Sequence, residues 1–444
     1  MRGNFFDSFV GITAFGESHG KAIGVVIEDV KPNIEFPLKK IQDYLDDRKP
    51  GKNKFTSSRQ EKDRVQIMSG IFENKTTGMP ICLLIWNEDA KSSDYENLKN
   101  IFRPGHADYS YFKKFKIYDY RGGGRASGRE TIARVAAAGL TDRFLDGIEI
   151  DFDTIQIGDF VSKSQDNSFE NPLFWHDKNN YENLNEYLNS LKKIGDSVGG
   201  IIQITVSNPP AGLGDPVFEK LDANLAKALL SIGSIKGIEF GKGFEFGKMI
   251  GSHSNDQMDK DGFLSNNSGG ILGGISNGDA IQFRVVTKPV PSISIKQKTI
   301  DANNNEREIQ TLGRHDTCII PRVIPVIKAM IKLVLADAIQ YQNLLESKES
   351  NLADLRESID KIDEDIILSL ARRQKIVEKI ALHKLQSDLE IIDYSREEKL
   401  YASLDKKATA LQLDNKLIKR IWKEIISLSK KKQQEILSKK KDRK

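Results

Sequence analysis

The spacing of hydrophobic and polar residues changes near residue 342 of this 444-residue chain. Before that point, short apolar runs alternate with helical patterns, and glycine is frequent. The apolar runs predict strands at 24–28, 79–85, 200–206 and 280–286. Helical spacing is found at 129–144, 221–231 and 324–341. This alternation is typical of an α+β or α/β domain.

Beyond residue 342, apolar residues recur at intervals of three and four, as on one face of a helix. They predict helices over 351–384, 394–409 and 414–438, with Asp414 as the cap of the third. A helix of about 34 residues is about 50 Å long and cannot cover its own apolar stripe, so it requires a partner. We expect one domain at 1–342, a linker at 343–350, an all-α three-helix domain at 351–438 and a basic tail at 439–444.

Charge is distributed unevenly between these two parts. The chain carries a net charge of +4, with 44 Lys+Arg against 46 Asp+Glu before Ser350 and 23 against 17 from there on. A near-neutral first part argues against nucleic acid as a partner of the whole protein. The two cysteines, Cys82 and Cys318, have no metal-ligand spacing, so we expect no metal. No apolar run approaches membrane-spanning length and no signal peptide is visible, so we expect no membrane association and a cytoplasmic location.

Three glycine-rich clusters concentrate charged residues in predicted loops. They are GESHG at 16–20, RPGHAD at 103–108 followed by RGGGRASGRET at 121–131, and GRHD at 313–316. Glycines beside arginines at a helix start form an anion pocket, because backbone N–H groups and guanidinium groups face the ligand together. The alternative is an RGG-type nucleic-acid segment, which would repeat in disordered sequence. A single copy that opens a predicted helix favours the anion pocket.

Histidine acts as a general acid or base near neutral pH. His19 and His106 stand beside glycine in these loops and are candidates for that role. His176 and His253 lie in polar stretches, and we interpret them as structural or exposed.

These motifs, together with GGILGGISNG and KPVPSI, resemble chorismate synthase in their order along 1–341. The resemblance implies conversion of 5-enolpyruvylshikimate-3-phosphate to chorismate and phosphate by 1,4-anti elimination. It also implies reduced FMN as cofactor, with NADPH as a candidate source of reducing equivalents. A β-α-β sandwich and a homotetramer are expected on the same grounds.

The resemblance assigns roles to individual residues. His19 is expected to protonate the departing phosphate, His106 to protonate the reduced flavin, and Asp316 to assist proton transfer to flavin N5. The expected substrate ligands are Ser18, Arg48, Lys54, Arg129 and Arg314. The expected FMN contacts are Arg125, Ala126, Ser127, Gly233, Ser234, Gly273, Lys288, Pro289, Val290, Pro291, Ser292 and Arg314. The chain departs from the family pattern at Lys54, Gly233-Ser234, Thr317 and Lys328, where arginine, Asn-Ala, proline and glutamate are usual.

The pattern of the last hundred residues alone favours a coiled-coil oligomerisation arm. Polar residues at helical spacing argue for a site instead. Arg373 and Lys384 are 11 residues apart, about 16 Å along one helix face. Ser429 and Gln433 are spaced i,i+4 and face the same way. Two such pairs can bracket a small dianion.

This segment resembles the all-α chorismate mutases, which rearrange chorismate to prephenate. By that resemblance Arg373, Lys384 and Gln433 are catalytic, and the further substrate contacts are Arg356, Asp393, Arg396, Glu397 and Ser429. Arg356 and Lys384 are 28 residues apart, about 42 Å on one helix, so a shared site requires Arg356 from a second chain. The tail is therefore expected to dimerise. For the tail, the alternative is a regulatory or oligomerisation module. For the whole chain, the alternative is a flavin- or nucleic-acid-binding protein that has no enzymatic activity.

Overall fold

The computed structural model describes residues 4–6, 11–49, 51, 55–56, 61–88, 98–164, 169–311, 315–346, 352–387, 393–410 and 413–441. The chain divides into two compact units, Met1–Glu346 and Ser347–Lys444.

One five-stranded antiparallel sheet of the first unit is formed by the N-terminal strands, in the order β1-β2-β3-β7-β4 among the described residues. Its strands are β1 (Phe5–Phe6), β2 (Ile12–Gly16), β3 (Ala22–Ile27), β4 (Val65–Ser69) and β7 (Ile81–Trp86). Ile81, Leu83 and Ile85 of β7 are fully buried and alternate with more exposed residues. This alternation directs one face of the sheet toward the core.

A second five-stranded antiparallel sheet has the order β11-β16-β10-β8-β9 in the described part of the chain. Its strands are β8 (Glu149–Ile157), β9 (Phe160–Val161), β10 (Gly200–Ser207), β11 (Ile235–Phe240) and β16 (Ile281–Thr287). Buried and half-buried residues alternate strictly along β10. Short hairpins pair β5 (Ile71–Phe72) with β6 (Lys75–Thr76), β12 (Met258–Asp259) with β13 (Gly262–Phe263), β14 (Ile271–Leu272) with β15 (Ile275–Ser276), and β17 (Gln297–Ile300) with β18 (Glu306–Ile309).

The first unit has seven helices in its described part. They are α1 (Leu38–Arg48), α2 (Asp108–Phe115), α3 (Thr131–Ala138), α4 (Tyr181–Ile194), α5 (Leu221–Leu230), α6 (Gly251–Ser254) and α7 (Ile320–Glu346). Of these, α1, α3, α5 and α7 pack between the two sheets. Helix α3 packs on β2 and β3 of the first sheet, whereas α5 packs on β11 and α7 on β8 of the second. Helices α3 and α5 both pack against α7. The expected β-α-β sandwich is confirmed.

Two helices of this unit differ from their predicted limits. The helix predicted at 129–144 is reduced to α3, with 3₁₀ turns at 124–126, 128–130 and 142–144. Helix α3 ends with Gly139 as its C-cap, and α1 packs closely there, since a β-carbon on Gly139 would lie 2.4 Å from the Ile41 side chain. Helix α7 begins four residues early and continues to Glu346, beyond the boundary expected at residue 342. No glycine or proline interrupts the stretch after Tyr341, so the helix extends.

The second unit consists of three helices in its described part. They are α8 (Leu352–Gln386), α9 (Tyr394–Ala410) and α10 (Asn415–Lys441), and α10 packs against both others. Their limits agree with the predicted helices within three residues. Asp414 caps α10 as expected, because its Oδ1 accepts the backbone N–H of Lys416 at 2.8 Å. None of the helices in the described ranges is long and apolar enough to cross a membrane.

Candidate functional site

The loops that carry His19 and His106 meet at two consecutive glycines. A β-carbon on Gly122 would lie 2.6 Å from Nε2 of His19, and one on Gly123 would lie 2.9 Å from Nε2 of His106. Both glycines have positive φ, +61° and +87°, which residues with a side chain rarely adopt. Because consecutive Cα atoms are about 3.8 Å apart, the two imidazoles occupy neighbouring positions on this backbone.

His106 belongs to a buried ion cluster at the start of α2. Its Nδ1 lies 2.7 Å from Oδ1 of Asp108 and 3.1 Å from Nη2 of Arg103. Arg103 also binds Asp108 through Nε at 2.7 Å. Burial and the charges of Arg103 and Lys288 lower the pKa of His106, while its bond with Asp108 partly offsets them. Although burial raises the pKa of Asp108, hydrogen bonds from His106 and Arg103 outweigh it and hold that pKa well below its usual range.

The KPVPS segment after β16 lies against the His106 loop. Nζ of Lys288 donates to the Gly105 carbonyl at 2.5 Å, and a β-carbon on Gly105 would lie 3.2 Å from Cβ of Pro291. The backbone N–H of Lys288 donates to the Ser234 carbonyl at 2.9 Å. Three residues expected to contact FMN therefore lie together beside His106.

Two arginines are buried around one carboxylate. Arg48 and Arg129 are only 3% and 6% exposed, and their guanidinium groups lie 3.8 Å and 3.0 Å from Asp63. Arg48 also donates to the Gly128 carbonyl at 2.8 Å. Burial, together with the positive charge of Arg322, lowers the pKa of Arg48 to about 9. Nη2 of Arg129 also lies 3.4 Å from Oε2 of the buried Glu61. Burial of such charges is costly unless they are paired, and these carboxylates supply that pairing.

Several buried polar atoms near these groups lack a hydrogen-bond partner. Among the described residues, none forms a hydrogen bond with Oγ of Ser18. Nη1 of Arg48 and Nη2 of Arg129 form none either, although they lie 3.8 Å from Asp63 and 3.4 Å from Glu61 in looser ion pairs. Ser18 is fully buried, and its Oγ would lie 3.1 Å from a β-carbon on Gly122, next to His19. Buried polar atoms are nearly always paired in folded proteins, so unpaired ones indicate a missing ligand.

Asp316 is buried and bound by an arginine of α7. Nη1 of Arg322 donates to its Oδ2 at 2.7 Å. The backbone N–H of the next residue, Thr317, donates to the Phe55 carbonyl at 3.0 Å. These contacts fix the position of the Asp316 carboxylate.

The second unit has a site of its own between α8 and α10. Arg373 of α8 donates to the hydroxyl of Ser429 on α10, and burial lowers the pKa of Arg373. One turn further along α10, Gln433 is 8% exposed, and its Oε1 has no partner among the described residues. Glu397 of α9 pairs with Nζ of Lys430 at 2.7 Å.

The remaining predicted tail residues are arranged differently. Lys384 is half-buried on α8, while Arg356 is exposed near the other end of the same uninterrupted helix. Asp393 is exposed and caps α9, accepting the backbone N–H of Arg396 at 2.9 Å. Arg396 is also exposed.

A sequence model of one protein family, described as chorismate synthase, matches residues 10–340. The chain belongs to the chorismate synthase family. The chorismate synthase of Syntrophus aciditrophicus (strain SB) is 50% identical over 350 residues, covering 77% of this chain and 99% of the relative. That of Desulfatibacillum aliphaticivorans is 46% identical over 353 residues, covering 79% and 99%. A crystal structure of a chorismate synthase superposes with a TM-score of 0.57 at 27% identity, covering 80% of this chain and 97% of that one.

A second family model, chorismate mutase type II, matches residues 355–434. The chain therefore carries a chorismate synthase domain followed by a chorismate mutase domain, and it is a bifunctional enzyme of aromatic amino acid biosynthesis. Chorismate synthases use reduced flavin.

Not every predicted residue of the chorismate synthase domain joins the histidine site. The guanidinium of Arg125 donates to the Gly16 carbonyl at 3.2 Å and to Asn4 at 2.9 Å, so it braces β2. Ser127 Oγ accepts the backbone N–H of Arg129 at 3.4 Å, and the neighbouring Ala126 lies in a 3₁₀ turn. Gly233 and Gly273 face open space in the described structure. Pro289 and Val290 pack against the 197–199 loop, and Ser292 is half-buried in the same segment. Lys54 and Arg314 lie outside the described residues.

Sequence reasoning missed four charged residues of the chorismate synthase domain. They are Arg103, Asp108, Asp63 and Arg322. Asp108 had a usable signal, because it follows His106 by two residues in the same motif. Asp63 had none, since it comes from a polar stretch without glycine or histidine.

Proposed function

We propose that the first domain converts 5-enolpyruvylshikimate-3-phosphate to chorismate and phosphate by 1,4-anti elimination, and that the second rearranges this chorismate to prephenate. The observation that carries the first assignment is the meeting of His19 and His106 at consecutive glycines beside buried, incompletely paired cations. An anionic phosphoester needs those cations, and its departing phosphate needs a proton donor.

The residues around His106 fit an anionic flavin. Lys288 supplies a positive charge and Pro291 supplies an apolar surface. The Ser234 carbonyl accepts the backbone N–H of Lys288 and holds that backbone in place. When bound, reduced FMN would supply an electron-rich ring beside the bond that breaks. The 288–292 segment would contact the flavin. We propose NADPH as a source of reducing equivalents.

Each polar group of the chorismate synthase domain has a separate role in this proposal. His19 protonates the departing phosphate, which Ser18 and Arg48 hold through atoms that form no hydrogen bond with the described residues. His106 holds a proton near the flavin position, and Asp108 orients its ring. Asp316, fixed by Arg322, assists the removal of the proton that the substrate loses.

In the chorismate mutase domain no covalent step is required of the protein. Arg373 binds a carboxylate, while Lys384 and Gln433 donate to the ether oxygen, where negative charge develops in the transition state. Glu397 accepts a hydrogen bond from the substrate hydroxyl. Catalysis then comes from holding the reactive conformer and from donors already aimed at that oxygen.

We infer that two chains share each chorismate mutase site. Arg356 and Lys384 lie on one uninterrupted helix, about 42 Å apart, which no chorismate-sized ligand spans. Ile359, Ile366 and Ile376 of this helix are 56%, 53% and 58% exposed, an apolar surface that a second copy would cover. Mixing Arg356→Ala and Lys384→Ala chains should restore part of the activity, because mixed dimers contain one intact site. No restoration would contradict the shared site.

We also propose a cytoplasmic homotetramer.

The chorismate synthase activity is tested by anaerobic assay with photoreduced FMN and 5-enolpyruvylshikimate-3-phosphate. We expect stoichiometric release of phosphate and formation of chorismate, at a rate that depends on the reduced flavin. Oxidised FMN with and without NADPH tests whether the chain reduces its own flavin. Phosphate release by His19→Ala at the wild-type rate would contradict the proton donor.

A further inference from the structure

Lys430 occupies an unusual position in the chorismate mutase domain. It follows Ser429 directly on α10 and stands three residues before Gln433, so it borders the face that carries both. Its Nζ does not extend into water but pairs with Oε1 of Glu397 on α9 at 2.7 Å. The two side chains are 30% and 25% exposed, so water screens this pair less than a surface pair.

We propose that Lys430 is a positioning residue that holds the Glu397 carboxylate where the hydroxyl of chorismate must bind. The inference rests on the proposed chorismate mutase activity and adds a residue to it. Glu397 has a long, flexible side chain at the first turn of α9, and without a partner it would sample several rotamers. The ammonium group of Lys430 selects one of them and links α9 to the helix that carries Ser429 and Gln433.

A matched control lies two residues further along α10. Lys432 also forms a pair between helices, with Glu378 of α8 at 3.3 Å, and the two side chains are somewhat more exposed, 36% and 44%. Its partner has no role in the proposed site. Removal of Lys432 therefore reports the general effect of losing an ammonium group and an interhelical ion pair from α10.

The test compares Lys430→Met with Lys432→Met in full-length protein, using chorismate as substrate. We expect kcat/KM to fall about tenfold in Lys430→Met. The loss should be in KM, because the hydroxyl contact is present in both ground and transition states. Lys432→Met should remain within about twofold of wild type, and Lys430→Arg should recover most of the loss because a cation is restored.

A double-mutant cycle with Glu397→Gln separates positioning from a general charge effect. If Lys430 acts through Glu397, adding Lys430→Met to Glu397→Gln should change KM by less than about twofold. Independent, multiplying effects would overturn the proposal, as would equal losses in Lys430→Met and Lys432→Met. A wild-type chain that binds chorismate in calorimetry without converting it would overturn the proposed activity, and the same cycle measured on Kd would still decide the role of Lys430. A chain that neither binds nor converts chorismate would overturn both.

Discussion

Addition of one methyl group at Gly122 should displace His19 without adding or removing an ionisable group. The new β-carbon would lie 2.6 Å from both Cδ2 and Nε2 of the imidazole. An ordinary contact between such atoms is about 3.5 Å, so the ring must move by roughly 1 Å. A displacement of that size in a catalytic group costs on the order of a hundredfold in rate. The left-handed backbone adds about 1–2 kcal/mol of strain.

The assay is phosphate release from 5-enolpyruvylshikimate-3-phosphate with photoreduced FMN, run beside thermal unfolding. Gly147→Ala is the matched control, because Gly147 also has a positive φ, +75°, but no atom of the described structure lies within 4 Å of its added β-carbon. It carries the same backbone strain without moving a histidine. We expect similar losses of stability in both variants and a loss of activity in Gly122→Ala alone. Activity of Gly122→Ala within threefold of wild type, or equal losses in the two variants, would refute the reasoning.

Three further outcomes follow from buried polar groups. Asp108 raises the pKa of His106, whereas burial lowers it, so Asp108→Asn should lower this pKa further. Chorismate synthase activity falls as His106 loses its proton, so the pH–rate profile of the variant should fall at a lower pH than that of wild type. An unmoved profile would contradict this role. Ser18→Ala removes a buried hydroxyl that has no partner among the described residues, so the melting temperature should stay the same or rise. The substrate KM should rise roughly tenfold. A lower melting temperature with an unchanged KM would contradict this role. Gln433 is neutral, so chorismate mutase activity should stay flat from about pH 5 to 8, whereas Gln433→Glu should lose activity as its carboxyl ionises; two parallel profiles would contradict donation from this side chain.

Local pattern was sufficient for the helical domain, because its helices are long, amphipathic and free of internal glycine or proline. The same reasoning misjudged the segment after Arg129. Its apolar and alanine-rich pattern continues to residue 144, but α3 ends at Ala138 with Gly139 as its C-cap. Glycine commonly ends helices, so the sequence carried this signal and the helical spacing received too much weight.

Sequence motifs identified the histidines but not the groups that position them. His19, His106 and Asp316 stand in glycine-rich loops and could be singled out as candidates. The partners of His106 stand in its own motif, but Asp63, which pairs with Arg48 and Arg129, comes from the stretch before β4. An ion pair between segments far apart in sequence leaves no periodic signal, so only the folded chain reveals it. Arg125 is a residue that the motif suggested as a ligand contact but that has another role in the fold. It stands in a motif typical of anion binding, yet it binds backbone carbonyls of the first sheet.

We propose that one chain makes chorismate at a flavin-dependent histidine site and consumes it at a site on the helical domain. The most direct measurement follows phosphate, chorismate and prephenate over time, from 5-enolpyruvylshikimate-3-phosphate and photoreduced FMN. We expect phosphate release, a transient amount of chorismate, and prephenate as the final product. With Arg373→Ala we expect the same phosphate release and accumulation of chorismate. Phosphate release no faster than with flavin alone, or wild-type accumulation of chorismate without prephenate, would contradict the account.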